Sequence, residues 1–96
     1  MTKINEQLAS AVRKSLNLPR LKVSVRRTGI RWLFQLHHCG GASEWIELAE
    51  DDIRVMKQLG LLPALQLGNF RVAFAKLRRA GEKKAQAKLA TVSINP

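Results

Sequence analysis

The fold is decided by residues 21–38, whose sequence is LKVSVRRTGIRWLFQLHH. Apolar and polar side chains alternate in each half of this stretch, and a period of two is typical of a strand with one buried face. The side chains that this alternation places inward are Leu21, Val23, Val25, Ile30, Trp32, Phe34 and Leu36. Arg27, Thr28 and Gly29 separate the two halves, so the pattern predicts a β-hairpin with its turn at these residues.

A second turn and a third strand follow the hairpin. Residues 39–42, CGGA, contain two glycines, which tolerate the positive φ angles of a turn. Ser43 to Leu48 then alternates again and places Ile46 and Leu48 inward. The sequence therefore predicts a three-stranded antiparallel meander with one face on a helix and the other in water.

Helical patterns lie on both sides of the meander. Residues 2–16 have the 3.6-residue period of an amphipathic helix, with Thr2 as its N-cap. Glu50, Asp51 and Asp52 fall in the first turn of a second helix, where the helix dipole favours negative charge, and Gly60 ends that helix.

The stretch after Pro63 permits two interpretations. Phe70, Ala73, Phe74 and Leu77 fit one face of a helix capped by Asn69, whereas residues 65–74 also fit a hairpin that turns at Gly68. Good helix formers and few β-branched residues favour the helix. Gly81 is expected to interrupt it, with a short lysine-rich extension over residues 82–89 and a frayed tail over residues 91–96.

Together these patterns predict one small basic α+β domain over residues 1–90. It has an N-terminal helix, a three-stranded antiparallel meander and two or three C-terminal helices. The chain has 96 residues, which is enough for a single core but not for two independent ones.

Charge is the strongest indication of function. The formal net charge is +10, and five of the seven carboxylates lie within residues 44–52, so both flanks of that segment are cationic. Such a surplus attracts polyanions, and nucleic acid is the commonest polyanion in a cell.

Other features indicate the compartment. Cys39 is the single cysteine, which excludes an internal disulfide and fits a reducing environment. The first residues lack the apolar stretch of a secretory leader, and no run approaches the roughly 20 apolar residues of a membrane span. We therefore expect a soluble, cytoplasmic protein that does not bind membranes.

The first candidate site is the polar face of the predicted sheet. Its members are Lys22, Arg26, Arg31, Gln35 and His37, joined by the turn residues Arg27 and Thr28. Arginines on a rigid surface can contact successive phosphates, and a two-stranded ribbon can enter a major groove, where Arg and Gln read base edges. An ordinary solvated face is the alternative, although such a face usually mixes both signs of charge. Trp45 is predicted on this face as well, where it offers a stacking surface for a base, although a tryptophan in a small domain more often completes a core.

The second candidate site is the C-terminal basic segment. Its members are Arg71, Lys76, Arg78, Arg79, Lys83, Lys84 and Lys88. These cations could simply keep a helix in solution. With only Glu82 among them, however, they repel one another unless an anionic partner is bound, which favours contacts with phosphates.

Catalytic and metal sites find little support. In His37-His38-Cys39, adjacent strand residues point to opposite faces, and too few other ligands exist for a zinc site. A nuclease centre that combines these histidines with Glu44, Asp51 or Asp52 lacks a recognisable spacing. We expect no enzyme activity, metal, cofactor or small-molecule substrate.

Two stretches resemble known nucleic-acid-binding families. Residues 81–90, GEKKAQAKLA, are similar to the start of the last helix in double-stranded-RNA-binding domains, and the order helix, three strands, helix resembles that family as well. Residues 29–32, GIRW, and the element order of residues 21–60 resemble the small sheet domains with which phage integrases hold arm-type DNA sites. These resemblances imply phosphate contacts by the lysines of the last helix and DNA binding by the sheet.

The sequence thus predicts a non-enzymatic protein that binds backbone phosphates of nucleic acid. DNA is slightly favoured over RNA, because only one candidate aromatic is exposed for stacking on unpaired bases. The alternative is a small protein-interaction module, such as a phage-type inhibitor or an adaptor that docks on a larger nucleoprotein complex. The acidic residues 44–52 also leave a protein partner or a homodimer open.

Overall fold

A computed structural model of the chain describes the backbone of residues 3–94 and the side chains of residues 3–81. Its elements in chain order are α1 (Lys3–Leu16), β1 (Lys22–Thr28), β2 (Arg31–His38), β3 (Gly41–Ala42), β4 (Ile46–Leu48), α2 (Glu50–Leu59) and α3 (Ala64–Ile94). This order confirms the predicted α+β class, with an N-terminal helix, an antiparallel meander and two C-terminal helices.

Helix α1 ends in a Schellman motif. Asn17 has a φ of 56°, in the left-handed region that asparagine tolerates better than most residues. The Leu18 N–H donates to the Arg13 carbonyl (2.9 Å) and the Asn17 N–H to the Lys14 carbonyl (3.2 Å), which satisfies carbonyls of the last turn. The predicted end of the helix is confirmed, and the proposed N-cap Thr2 lies outside the described residues.

The predicted hairpin is confirmed, but its turn is displaced. β1 and β2 pair so that Val23 lies opposite Leu36 and Val25 opposite Phe34, which places the apolar side chains on one face. β1 continues through Thr28, and the turn consists of Gly29 (φ 62°) and Ile30. Because Ile30 is in the turn, its side chain leaves the inward alternation and is 78% exposed, contrary to the prediction.

The predicted third strand is divided by a bulge. His38 of β2 pairs with Gly41 of β3, and Phe34 of β2 pairs with Ile46 of β4. The two pairs are four residues apart along β2 but five residues apart along the segment of β3 and β4, so this segment contains one extra residue. Ser43 accommodates the extra residue, because its N–H donates to the Leu36 carbonyl (2.8 Å) and its Oγ accepts from the Leu36 N–H (2.9 Å). Both short strands pair with the same edge of β2, which preserves the predicted meander.

The core lies between one face of the sheet and the helices. Its largest fully buried side chains are Phe34, Phe70, Leu8, Leu36, Leu48, Ile53, Met56 and Val12. The Phe34 ring on β2 meets the Phe70 ring on α3 edge to face, with centroids 5.8 Å apart and planes at 74°. The helices therefore cover the Phe34 face of the sheet and leave the other face uncovered.

The second helix follows its prediction. Glu50, Asp51 and Asp52 occupy the first turn of α2, and Gly60 ends it with a φ of 67°. The Asp52 carboxylate also accepts the Ala49 N–H at 3.2 Å, which satisfies a donor at the start of the helix.

The stretch after Pro63 forms a helix and not a hairpin. The Pro63 carbonyl accepts the N–H of Gln66 (2.9 Å) and of Leu67 (3.0 Å), so α3 begins at Ala64 and not at Asn69. The helix also continues through Gly81, where an interruption was predicted.

Burial of Phe70 and Leu77 against the sheet explains why this helix passes through its glycines, since tertiary packing outweighs a weak local propensity. At the end of the chain, where a frayed tail was predicted over residues 91–96, the backbone is helical as far as Ile94, and residues 95–96 lie outside the described part.

Two glycine substitutions distinguish the helix from the hairpin interpretation. Gly68 is exposed within α3, with open space where a Cβ would lie, so we expect Gly68→Ala to raise the free energy of unfolding by about 0.5–1 kcal/mol. The matched change Gly60→Ala should lower it by roughly 1–2 kcal/mol, because Gly60 needs its left-handed φ. Urea unfolding followed by circular dichroism measures both changes, and destabilisation by Gly68→Ala would support a turn at this position.

Candidate nucleic-acid interface

The uncovered face of the hairpin gathers five of the predicted site residues. We call it the outer sheet face, and its cross-strand pairs are Lys22 with His37, Ser24 with Gln35, Arg26 with Leu33, and Thr28 with Arg31. Directly paired side chains project from the same side of a sheet. The structure thus brings together Lys22, Arg26, Arg31, Gln35 and His37.

Two of these residues are held by hydrogen bonds within the protein. The Ser24 Oγ lies 2.7 Å from the His37 Nε2, and the Gln35 Nε2 donates to the Ser43 carbonyl at 2.9 Å. Gln35 therefore uses its amide donor to support the bulge. The exposed cations of this face, rather than Gln35, are the groups most available to a partner.

Arg31 is paired with a carboxylate on the same face. β4 places Glu47 opposite Leu33, so the Glu47 side chain projects from the outer sheet face. Its Oε1 lies 3.2 Å from the Arg31 Nε, and the two side chains are 54% and 69% exposed. An exposed ion pair adds little stability, but it offsets the charge of Arg31 locally.

Arg27 was predicted in the hairpin turn beside the polar face, but it belongs to β1 and lies on the inner side of the sheet. It lies opposite Trp32, whose ring is buried, and its Cζ sits 5.1 Å from the centroid of that ring. The Glu50 Oε1 accepts from both the Arg27 Nη2 (3.4 Å) and the Trp32 Nε1 (3.3 Å). Arg27, Trp32 and Glu50 thus form a structural cluster on the inner face.

Lys22 and Arg26 are the cations that remain available on the outer sheet face. Both are exposed, and within the described side chains neither lies within 4.0 Å of a carboxylate. They are four residues apart on β1, which corresponds to about 13 Å along an extended strand. The sheet therefore has a basic edge at β1 and an edge at β4 that carries Glu47.

Helix α3 carries a second set of cations. Successive helical residues are about 100° apart, so Arg71 and Lys76 flank the buried Phe70 and Leu77, whereas Arg79 lies about 200° from Leu77 and points away from the sheet. Arg71, Lys76 and Arg79 are exposed, and we call them the outer helix face.

The remaining predicted residues of this helix are less completely described. Arg78 is exposed on the same helix. Lys83, Lys84 and Lys88 belong to the helical backbone of α3, but their side chains lie outside the described residues.

The predicted residues therefore form two surfaces and not one site. Lys22 and Arg26 project from the uncovered side of the sheet, because they lie out of phase with the half-buried Val23 and Val25. On α3, Arg79 points away from the sheet, whereas Arg71 and Lys76 project from the two flanks of the helix, and Lys76 lines a groove between α3 and residues 42–46. A partner that contacts one surface cannot reach the other without passing around an edge of the domain.

Trp45 also differs from its predicted position. It lies in the bulge and lines a groove of about 430 Å³ between the bulge and α3, together with Ile46, Val72 and Ala73. The bulge changes the register by one residue, so a strictly alternating third strand could not predict this placement.

A second concavity at the base of the hairpin identifies a cation that the sequence analysis missed. It measures about 410 Å³ and is lined by Arg20 and Lys22 above an apolar floor that includes Leu21 and Phe74. The His38 ring meets the Phe74 ring edge to face at 5.3 Å. Arg20 therefore extends the basic edge of the sheet towards α1. The sequence analysis missed it because its position depends on how the chain turns between the end of α1 and the start of β1.

Two further findings apply to the described part of the chain. No group of three or more His, Cys, Asp or Glu residues there has the arrangement of a metal site. No helix there combines the length and the apolar character that crossing a membrane requires.

Comparisons with known proteins return no matching family model, no similar curated protein and no similar solved structure. Function must therefore be inferred from the charges and contacts of this chain.

The two neighbouring arginines of β1 should differ in their effect on stability. We expect Arg27→Gln to lower the free energy of unfolding by about 1 kcal/mol, because it removes the contact with Trp32 and the ion pair with Glu50. The matched change Arg26→Gln should stay within about 0.5 kcal/mol, since that side chain has no described partner. Urea unfolding measures both, and equal effects would contradict the assignment of these side chains to opposite faces.

Proposed function

We propose that this protein binds nucleic acid without catalysis, through contacts with backbone phosphates. The observation that carries the proposal is the position of exposed cations, with no described carboxylate within 4.0 Å, on the outer sheet face and on the outer helix face. These cations are Lys22, Arg26, Arg71, Lys76 and Arg79.

The position of the acids strengthens this proposal. Most carboxylates belong to residues 44–52, where they pair with Arg27, Arg31 and Arg54. These acids therefore leave both the β1 edge and the outer helix face with uncompensated positive charge. Neutralising each phosphate releases condensed counterions, so binding by such surfaces is expected to weaken as salt rises.

Duplex nucleic acid fits these surfaces better than unpaired strands do. Recognition of unpaired bases relies on exposed aromatic rings, and neither Trp nor Phe occurs on the outer sheet face. Trp32 is buried and Trp45 faces the groove beside α3. We therefore favour a backbone contact with duplex DNA, as the sequence predicted, over stacking on single strands.

Fluorescence anisotropy with labelled duplex DNA, single-stranded DNA and duplex RNA tests the proposal at two salt concentrations. We expect the tightest binding to duplex DNA, with an affinity for it that falls steeply between about 50 and 200 mM salt. Absence of binding to all three probes at the lower salt would refute the proposed function.

A charge-matched pair of variants makes this prediction specific. The variant K22Q/R26Q/R71Q/R79Q removes four of the available cations and should abolish most of the salt-dependent binding, because each lost phosphate contact lowers the salt slope by about one. The control K3Q/K14Q/R54Q/K57Q removes the same charge from exposed positions on α1 and α2 and should bind far more tightly. Equal losses in the two variants would mean that net charge alone, and not these surfaces, determines binding.

The groove beside α3 supports a second candidate function, a protein-interaction module. Trp45 (43% exposed) and Val72 (56%) line this groove. Leu65 is 89% exposed and lies on the same face of α3 as Val72, about two turns earlier. Exposed apolar side chains that share a surface often mark a protein interface.

Trp45→Ala separates the two functions. Trp45 carries no charge and lies away from the outer sheet face, so although Lys76 lines the same groove, we expect this change to leave the affinity for duplex DNA within about twofold. Val72→Ala is the matched control on the opposite wall of the groove. A large loss of affinity in the anisotropy titration would assign the groove to nucleic-acid binding instead of a protein partner.

A further inference from the structure

The available cations lie on two different surfaces around one core, and Arg79 points away from the sheet face that carries Lys22 and Arg26. Val23 and Val25 pack against the core, so Lys22 and Arg26 project from the other side of β1. On α3, Phe70 and Leu77 are buried against the sheet, so the exposed Arg71, Lys76 and Arg79 occupy the flanks and the far side of the helix.

The separation between the two sets is large on the electrostatic scale. α3 has 31 residues, about 46 Å of helix, and it accounts for most of the longest Cα extent of 57 Å. The direction from sheet to helix is therefore described by the two shorter extents, 23 and 18 Å. These extents describe the thickness of the whole domain, and both exceed the Debye length of about 8 Å at physiological ionic strength, so phosphates at Lys22 and Arg26 are largely screened from phosphates at Arg79.

One stiff duplex cannot easily serve both faces. DNA has a persistence length of about 150 base pairs, and turning it around so thin a domain would cost several kcal/mol or more. The β4 edge offers phosphates little attraction, because Glu44 is exposed beside it and Glu47 and Glu50 offset the charges of Arg31 and Arg27. Each face is therefore free to engage a different segment.

From this geometry we propose that a single copy of the protein bridges two duplex segments, one on the outer sheet face and one on the outer helix face. The inference rests on the proposed function and adds to it a physical role, the joining of two stretches of nucleic acid. The net charge of +10 allows a second duplex to approach. Phosphates bound at Lys22 and Arg26 neutralise those two cations only, so the positive charge of the outer helix face remains available to the second duplex.

A duplex-capture assay tests the bridge. One DNA duplex is immobilised, a second duplex of unrelated sequence carries a fluorophore, and the full-length protein is titrated between them. We expect the captured fluorescence to rise with protein and then fall at excess protein, when each duplex is saturated by separate copies. If wild-type protein binds single duplexes in anisotropy but captures no second duplex, the bridge is overturned and the proposed function stands. If it neither binds single duplexes nor captures a second one, the bridge and the proposed function are both refuted.

Single-face variants identify the surfaces that form the bridge. K22Q/R26Q and R71Q/R79Q should each still bind one duplex in anisotropy but capture the second at least about tenfold less well. Circular dichroism checks that both remain folded, and the control R54Q/K57Q, which loses the same charge on α2, should capture normally.

An equimolar mixture of the two single-face variants separates a monomeric bridge from a dimeric one. If one copy uses both faces, the mixture captures no more than either variant alone. Efficient capture by the mixture, or by either variant alone, would overturn the inference, because the two contacts would then come from different copies or from one kind of face.

Discussion

The contact between Phe34 and Phe70 is the constraint on which the rest of the structure depends. Both rings are fully buried, and they join the central strand β2 to the long helix α3. Because strand side chains alternate, burying Phe34 commits Leu33 and Gln35 to the other side of the sheet. Burying Phe70 and Leu77 likewise turns Arg79 away from the sheet. An apolar contact thus determines where the charges of this protein meet the solvent.

The acidic residues have a structural role that also shapes the electrostatic surface. Glu50 accepts from Arg27 and Trp32, Glu47 pairs with Arg31, and the Asp52 carboxylate accepts from both the Ala49 N–H and the Gln66 amide at 3.2 Å. These contacts offset the arginines around the hairpin turn and fix the start of α2. Exposed cations without a described carboxylate partner therefore remain along β1 and on α3, and also at Lys14, Arg20 and Lys57.

The sequence was sufficient for the elements whose signal is local. A period of two identified the hairpin, and the acids before Ile53 together with Gly60 identified α2. The length of α3 was not predictable in this way. A helical glycine costs about 1 kcal/mol relative to alanine, whereas burying a side chain such as Phe70 or Leu77 gains roughly 1.5–3 kcal/mol, and that gain exists only once the sheet is in place.

Register explains the errors in the candidate site, and it also changes the expected mode of binding. The strand continues through Thr28, so Arg27 keeps the alternation of β1 and joins the inner face, while the bulge at Ser43 moves Trp45 towards α3. The hairpin turn is then flanked by compensated arginines, and Gln35 uses its amide donor within the protein. Insertion of this turn into a major groove to read bases is therefore disfavoured. For the proposed binding of nucleic acid, lateral contact of the β1 edge with phosphates fits the charges better, and such contacts position a protein on a duplex without specifying sequence.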